Sequence, residues 1–169
     1  MTLACVKPEH GKELFTELTE KGLDGFYASS TQILQQENPH LLKYLNDFSD
    51  KLGTDLGDVA LNVYKLLKLA AEKEGHALPK VSEDLVDKLI TTDGNVIERG
   101  MLSLEKKDPM LARYIANSTL ELALKYRQTG NLMAQESLRA KISAAIALYY
   151  MLEKASDPTT DGEQDISTV

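Results

Sequence analysis

Glu37 and His40 stand three residues apart in the stretch ENPHLLKYLNDF. That Glu-x-x-His spacing is the one helical bundles use to bind two metal ions. A full di-metal carboxylate centre takes a Glu from each of two helices and a Glu-x-x-His from each of two others. Here Pro39 lies inside the motif. Proline is favoured at the first helical position and asparagine just before it, so Asn38-Pro39 predicts a helix start between the two ligands. Glu37 then precedes the cap, and the pair does not share a helical face.

A second copy of the stretch carries no ligands. Asp108-Pro109-Met110-Leu111-Ala112-Arg113-Tyr114-Ile115 aligns with Asn38-Pro39-His40-Leu41-Leu42-Lys43-Tyr44-Leu45, and Lys107 and Met110 occupy the Glu37 and His40 positions. No metal and no cofactor is expected. Glu72 and His76 are four apart, but Gly75 falls between them as a helix stop. Asp157, Asp161, Gly162 and Asp165 have part of a calcium-loop pattern, with Thr159 and Thr168 where Asp or Asn and Glu are needed. No nucleophile elbow or phosphate loop occurs. Cys5 reads as a small buried hydrophobe, and His10, His40 and His76 read as surface residues.

Lys106, Lys107, Arg113, Lys125, Arg127, Arg139 and Lys141 cluster in sequence. Arg113 and Arg127 are fourteen residues apart, nearly four helical turns, so they share a face. This basic face over 106–141 is the route by which the chain would bind nucleic acid, through phosphate contacts. A net charge of −7 weighs against that use. The charge is uneven: residues 1–94 carry 10 basic and 16 acidic side chains, residues 95–154 carry 9 and 6, and residues 155–169 carry four acids and no base.

The elements that must position these residues are helical. Apolar side chains recur at three- and four-residue spacing through Leu14–Leu18, Leu41–Phe48, Leu56–Ala71, Leu85–Ile90, Ile97–Leu104 and beyond. Gly22, Gly53, Gly75, Asp93-Gly94-Asn95 and Gly130-Asn131 punctuate them. Leu61, Tyr64 and Leu69 lie off the main stripe of 56–71, which predicts a helix buried on more than one side. Ala140, Ala144, Ala145 and Ala147 predict close approach by a neighbour of the last helix, placed at Leu132–Lys154. Leu3–Val6 is the one short strand candidate. The fold class is all-α, a compact bundle of seven to eight helices, with the repeated cap suggesting two related helical hairpins. Residues 1–155 read as a single helical domain and 156–169 as a disordered acidic tail.

Val63-Tyr64-Lys65-Leu66-Leu67 also resembles Leu148-Tyr149-Tyr150-Met151-Leu152, with about fifteen extra residues between the blocks. Residues 122–138 resemble one tetratricopeptide repeat, without the 34-residue period of that family. Asn38-Pro39, Tyr44-Leu45 and Phe48-Ser49 are similar to the N-P-x4-W-L-x2-F-S segment of the cyanobacterial Rubisco assembly chaperones, which are small all-helical dimers that bind a peptide. That likeness spans about twelve of 169 residues, has tyrosine for tryptophan, and implies no site residues here.

One cysteine allows no intrachain disulfide, and no apolar run is long enough for a signal peptide or a membrane span, so a cytoplasmic protein is expected. The functional expectation is a non-catalytic helical protein–protein interaction or assembly protein that associates with itself or with another protein. The alternatives are nucleic-acid binding through the 106–141 face and a metal-dependent or other enzyme whose site assembles from distant positions. Tyr44, Tyr114, Arg113 and Arg127 are the candidate interaction residues.

Overall fold

The computed structural model describes residues 3–52, 58–92, 95–130 and 132–156. Eight helices account for most of them: α1 (Pro8–Lys21), α2 (Leu23–Glu37), α3 (Pro39–Leu52), α4 (Asp58–Lys73), α5 (Glu83–Thr92), α6 (Val96–Lys107), α7 (Pro109–Thr129) and α8 (Leu132–Ser156). The all-α expectation holds, and the described residues contain no strand. Leu3–Val6, the strand candidate, forms no strand. Of the tail expected at 156–169, Ser156 is the last residue of α8, and 157–169 lie outside the described residues, as do Gly53 and Asp93-Gly94. No described helix is long and apolar enough to cross a membrane.

α4 and α8 lie at the centre. α8 packs against α3, α4, α5, α6 and α7, and α4 packs against α1, α2, α7 and α8. The sequence explains this: Val59, Ala60, Val63, Tyr64, Leu66 and Leu67 bury several sides of α4, while Ala144 through Leu152 bury nearly every side of α8. Each fully buried leucine contributes about 1.5–3 kcal/mol. Lys65 is drawn into this interior by two partners. Its ammonium sits 3.2 Å from Glu17 Oε1 and 5.9 Å from the Phe26 ring centroid, tying α4 to α1 and α2. Burial raises the Glu17 carboxyl, but the hydrogen bonds from Lys21 and Lys65 outweigh it, and the group titrates below its usual range.

The repeat is larger than a hairpin. α1-α2-α3-α4 corresponds in order to α5-α6-α7-α8. Asn38 joins α2 to α3 with φ −141° and ψ 66°, and Asp108 joins α6 to α7 with φ −143° and ψ 70°. Each donates its backbone N–H to the leucine four residues back, Leu34 O at 2.8 Å and Leu104 O at 2.9 Å. Each carbonyl then accepts the first bond of the next helix, from Leu42 N–H and Ala112 N–H, both at 3.0 Å. The two related hairpins expected from sequence are therefore parts of two four-helix halves.

The halves differ where α2 and α6 meet the central helices. Gly100 on α6 allows α8 to approach so closely that an added Cβ would lie 2.8 Å from Ile146 Cγ2 and 3.2 Å from Tyr150 Cβ. The corresponding position on α2, seventy residues earlier like Asn38 from Asp108, is Ser30. Ser30 is buried, and its hydroxyl has no hydrogen-bond partner among the described residues. Gly100→Ala is expected to destabilise the protein by about 1–3 kcal/mol through overpacking. Ser30→Ala, which removes an unpartnered buried hydroxyl, should be neutral or stabilising. Urea midpoints of the two variants check both signs, and equal destabilisation would contradict the asymmetry.

Candidate functional site

A non-helical leader segment precedes the first helix of each half. Residues 3–7 lead into α1 and residues 76–82 into α5. Each is held by the cap residue of the other half. Val6 N–H donates to Asp108 Oδ2 (3.0 Å), and Val81 N–H donates to Asn38 Oδ1 (2.7 Å). Both valines and both cap residues are buried, Asn38 to 1% exposure and Asp108 to 3%. Further bonds reinforce each latch. Asn38 Nδ2 donates to Pro79 O (3.2 Å), and Cys5 Sγ donates weakly to Lys107 O (3.4 Å).

Behind each cap lies a tyrosine. Asn38 Nδ2 donates to Tyr64 Oη (3.1 Å), whose own O–H donates to Glu37 Oε1 (2.9 Å). Glu37 Oε2 accepts a hydrogen bond from Lys68 Nζ, one turn along α4 from Tyr64. In the other half Tyr149 is buried at the matching place on α8. One turn along, Glu153 accepts hydrogen bonds from Lys107 Nζ (3.0 Å) and from Ser103 Oγ. The ion pair is thus conserved in position and reversed in sign: Glu37–Lys68 in the first half, Lys107–Glu153 in the second. Burial raises both phenols, Tyr64 further through Glu37 and Tyr149 further through Glu153, so both stay protonated.

The leaders converge on a cavity of about 270 Å³ at the ends of α4 and α8. Its walls come in corresponding pairs: Leu3 with Leu78, Ala4 with Pro79, and Ala71 with Ser156. The first two pairs are displaced by 75 residues, like Val6 and Val81, and the third by 85, like Tyr64 and Tyr149. The cavity therefore sits where the two halves meet. Its lining is mostly apolar, Leu3, Leu78, Pro79 and four alanines, with His76 and Ser156 as the polar side chains. A second cavity of about 300 Å³ adjoins it across His76, Ala77 and Leu78. That one is polar, with Glu37, Lys68, Glu72 and Lys80 around it.

The candidate residues read from sequence lie elsewhere. Tyr44 on α3 and Tyr114 on α7 are half-buried against the core, and burial raises the Tyr44 phenol. Arg113 and Arg127 are exposed on α7, which runs unbroken between them. None of the four lines either cavity. Lys107 is tied to Glu153. Lys125 and Tyr126 have side chains outside those described.

Glu37 ends α2 and His40 opens α3, on either side of Asn38, and Glu37 is engaged by Tyr64 and Lys68. Among the described residues no group of three or more His, Cys, Asp or Glu side chains is placed to hold a metal ion. His40 is exposed, but two expectations are corrected. His10 is buried rather than on the surface: its Nδ1 accepts Lys7 N–H (2.9 Å) at the start of α1, where the lysine side chain supplies no acceptor. In the second half Ser82 Oγ caps α5 conventionally by accepting Leu85 N–H (3.1 Å). Cys5 is exposed rather than buried, because the leader turns it outward between half-buried Ala4 and buried Val6.

No protein-family model, curated protein or solved structure matches the chain.

Proposed function

We propose that the chain is a non-catalytic binding protein that receives an apolar side chain of a protein partner in the cavity between its leaders. The apolar cavity at the meeting of the halves carries this reading. At about 270 Å³ it falls at the lower edge of small-molecule sites. Its walls offer few polar groups to orient a free ligand. A socket of this kind suits the buried anchor of a protein interface, and the neighbouring charged cavity with Lys68, Glu72 and Lys80 supplies the polar rim.

The test uses isotope-labelled protein titrated with N-acetyl-leucinamide and N-acetyl-phenylalaninamide as stand-ins for the anchor. Amide shifts should concentrate at Leu3, Ala4, Ala77, Leu78 and Ala155, and Ala71→Leu, which fills the socket, should abolish them. Shifts centred elsewhere, or surviving Ala71→Leu, would refute the reading.

A second copy of this chain is the specific partner that one observation favours. Phe15 on α1 is 70% exposed and Leu102 on α6 is 63% exposed, both large apolar side chains of the kind a socket takes. Light scattering across a concentration series should then show a dimer that Phe15→Ser or Leu102→Ser weakens.

A further inference from the structure

The latches cross. The leader of the first half is held by Asp108 of the second, and the leader of the second half by Asn38 of the first. Around these crossed contacts the halves agree in helix order, in cap dihedrals, in the buried tyrosine and in an ion pair of opposite polarity. Such agreement is what a twofold dimer with exchanged N-terminal arms would show after its two chains were joined. The joint is short: α4 ends at Lys73, and the second leader begins by residue 76. Between them Gly75 takes φ +77°, a conformation that costs glycine little and reverses the chain.

We infer that the chain is a fused, arm-exchanged dimer of one four-helix unit, and that each half is the specific binding partner of the other. The interface has two components. One is helix packing between the halves, α4 and α3 against α8, with α4 on α7 and α3 on α5. The other is the pair of leaders, each of which places a buried valine and a backbone N–H in the opposite half. Because each component is built from contacts between halves, the covalent connection at 74–76 adds proximity rather than contact. Severing it should leave the assembly standing.

The experiment inserts a specific protease site between His76 and Ala77 in the full chain, beyond the N–H of His76 that caps α4 through Ala71 O. After cleavage, the two polypeptides should co-elute as one 1:1 species of unchanged hydrodynamic radius and unchanged helical circular dichroism. Separated in denaturant and diluted together, they should regain that species, while either alone should not form a folded monomer. Val6→Pro removes the N–H of the first latch, and Val81→Pro that of the second. Each should raise the dissociation constant of the cleaved pair at least tenfold, and the two effects should be comparable. Spontaneous separation on cleavage, aggregation of the cleaved protein, or a folded monomer from either half overturns the inference. So does indifference of the cleaved pair to either latch variant.

Discussion

Asn38→Ala is expected to lower stability by about 3 kcal/mol, among the largest effects of any single polar truncation in the chain. One carboxamide carries three bonds: it accepts from Val81 N–H and donates to Tyr64 Oη and Pro79 O. The residue is 1% exposed, so water does not replace those partners. An orphaned buried backbone donor costs about 1–3 kcal/mol, and each of the two donated bonds adds about 0.5–1.5 kcal/mol when lost. For a chain of 169 residues this corresponds to a fall in Tm of about 6–12 °C. Hydrogen exchange locates the damage: the Val81 amide and the start of α5 should lose protection before α1 does. A uniform loss of protection, or a Tm within about 2 °C of the parent, would show that the latch carries little. Asn38→Asp is the informative companion, because Asp108 already fills the same backbone position in the second half.

The cap was legible in the sequence and its purpose was not. Asn-Pro and Asp-Pro announce helix starts because proline's fixed φ and missing N–H suit the first helical position, and both helices begin there. The alternation of apolar side chains located α4 and α8, and the off-stripe Leu61 and Tyr64 identified α4 as a central helix. What the two caps hold could not be read, because the bonds to Val6 and Val81 join residues 102 and 43 positions away. The only local trace is a Leu-x-x-Val in each leader, Leu3 to Val6 and Leu78 to Val81, a pattern too short to stand out. The exchange of Glu37–Lys68 for Lys107–Glu153 hid the relation further. A charge reversed at both partners preserves an ion pair while erasing the identity that an alignment would score. Tyr44 and Tyr114 recur after the two caps because they pack the third helix of each half onto the core, away from the cavity. The cavity is made by leader residues and small side chains at helix ends, and neither periodicity nor motif spacing marks such residues.

Asp108 gives the second large effect and a pH signature that separates it from Asn38. Its two oxygens accept from Val6 N–H (3.0 Å) and Leu111 N–H (3.1 Å), so Asp108→Ala should cost about 2–3 kcal/mol at neutral pH. Burial raises the Asp108 carboxyl above its ordinary value of 3.8, outweighing the two backbone hydrogen bonds and the nearby His10. The direction sets the linkage. A carboxyl whose folded-state pKa lies above its unfolded value contributes most below the unfolded value, near 3.8, and that contribution is lost as pH rises through the folded-state pKa. Asp108→Asn removes the titration while keeping an acceptor for Val6. Its amide group can donate toward Tyr149 as Asn38 does to Tyr64, at the expense of the bond from Leu111. Near pH 7 the variant should therefore lie within about 1 kcal/mol of the parent. As pH falls toward 4 the parent should gain on the variant, because only the parent recovers the stability that ionising a buried carboxyl removes. Urea unfolding of both proteins between pH 4 and 7 measures this difference directly, and the remaining groups, Glu17 included, cancel between them. A difference that stays flat, or that shrinks toward acid, would mean that Asp108 is not held against its charge and that its latch is set by the backbone hydrogen bonds alone.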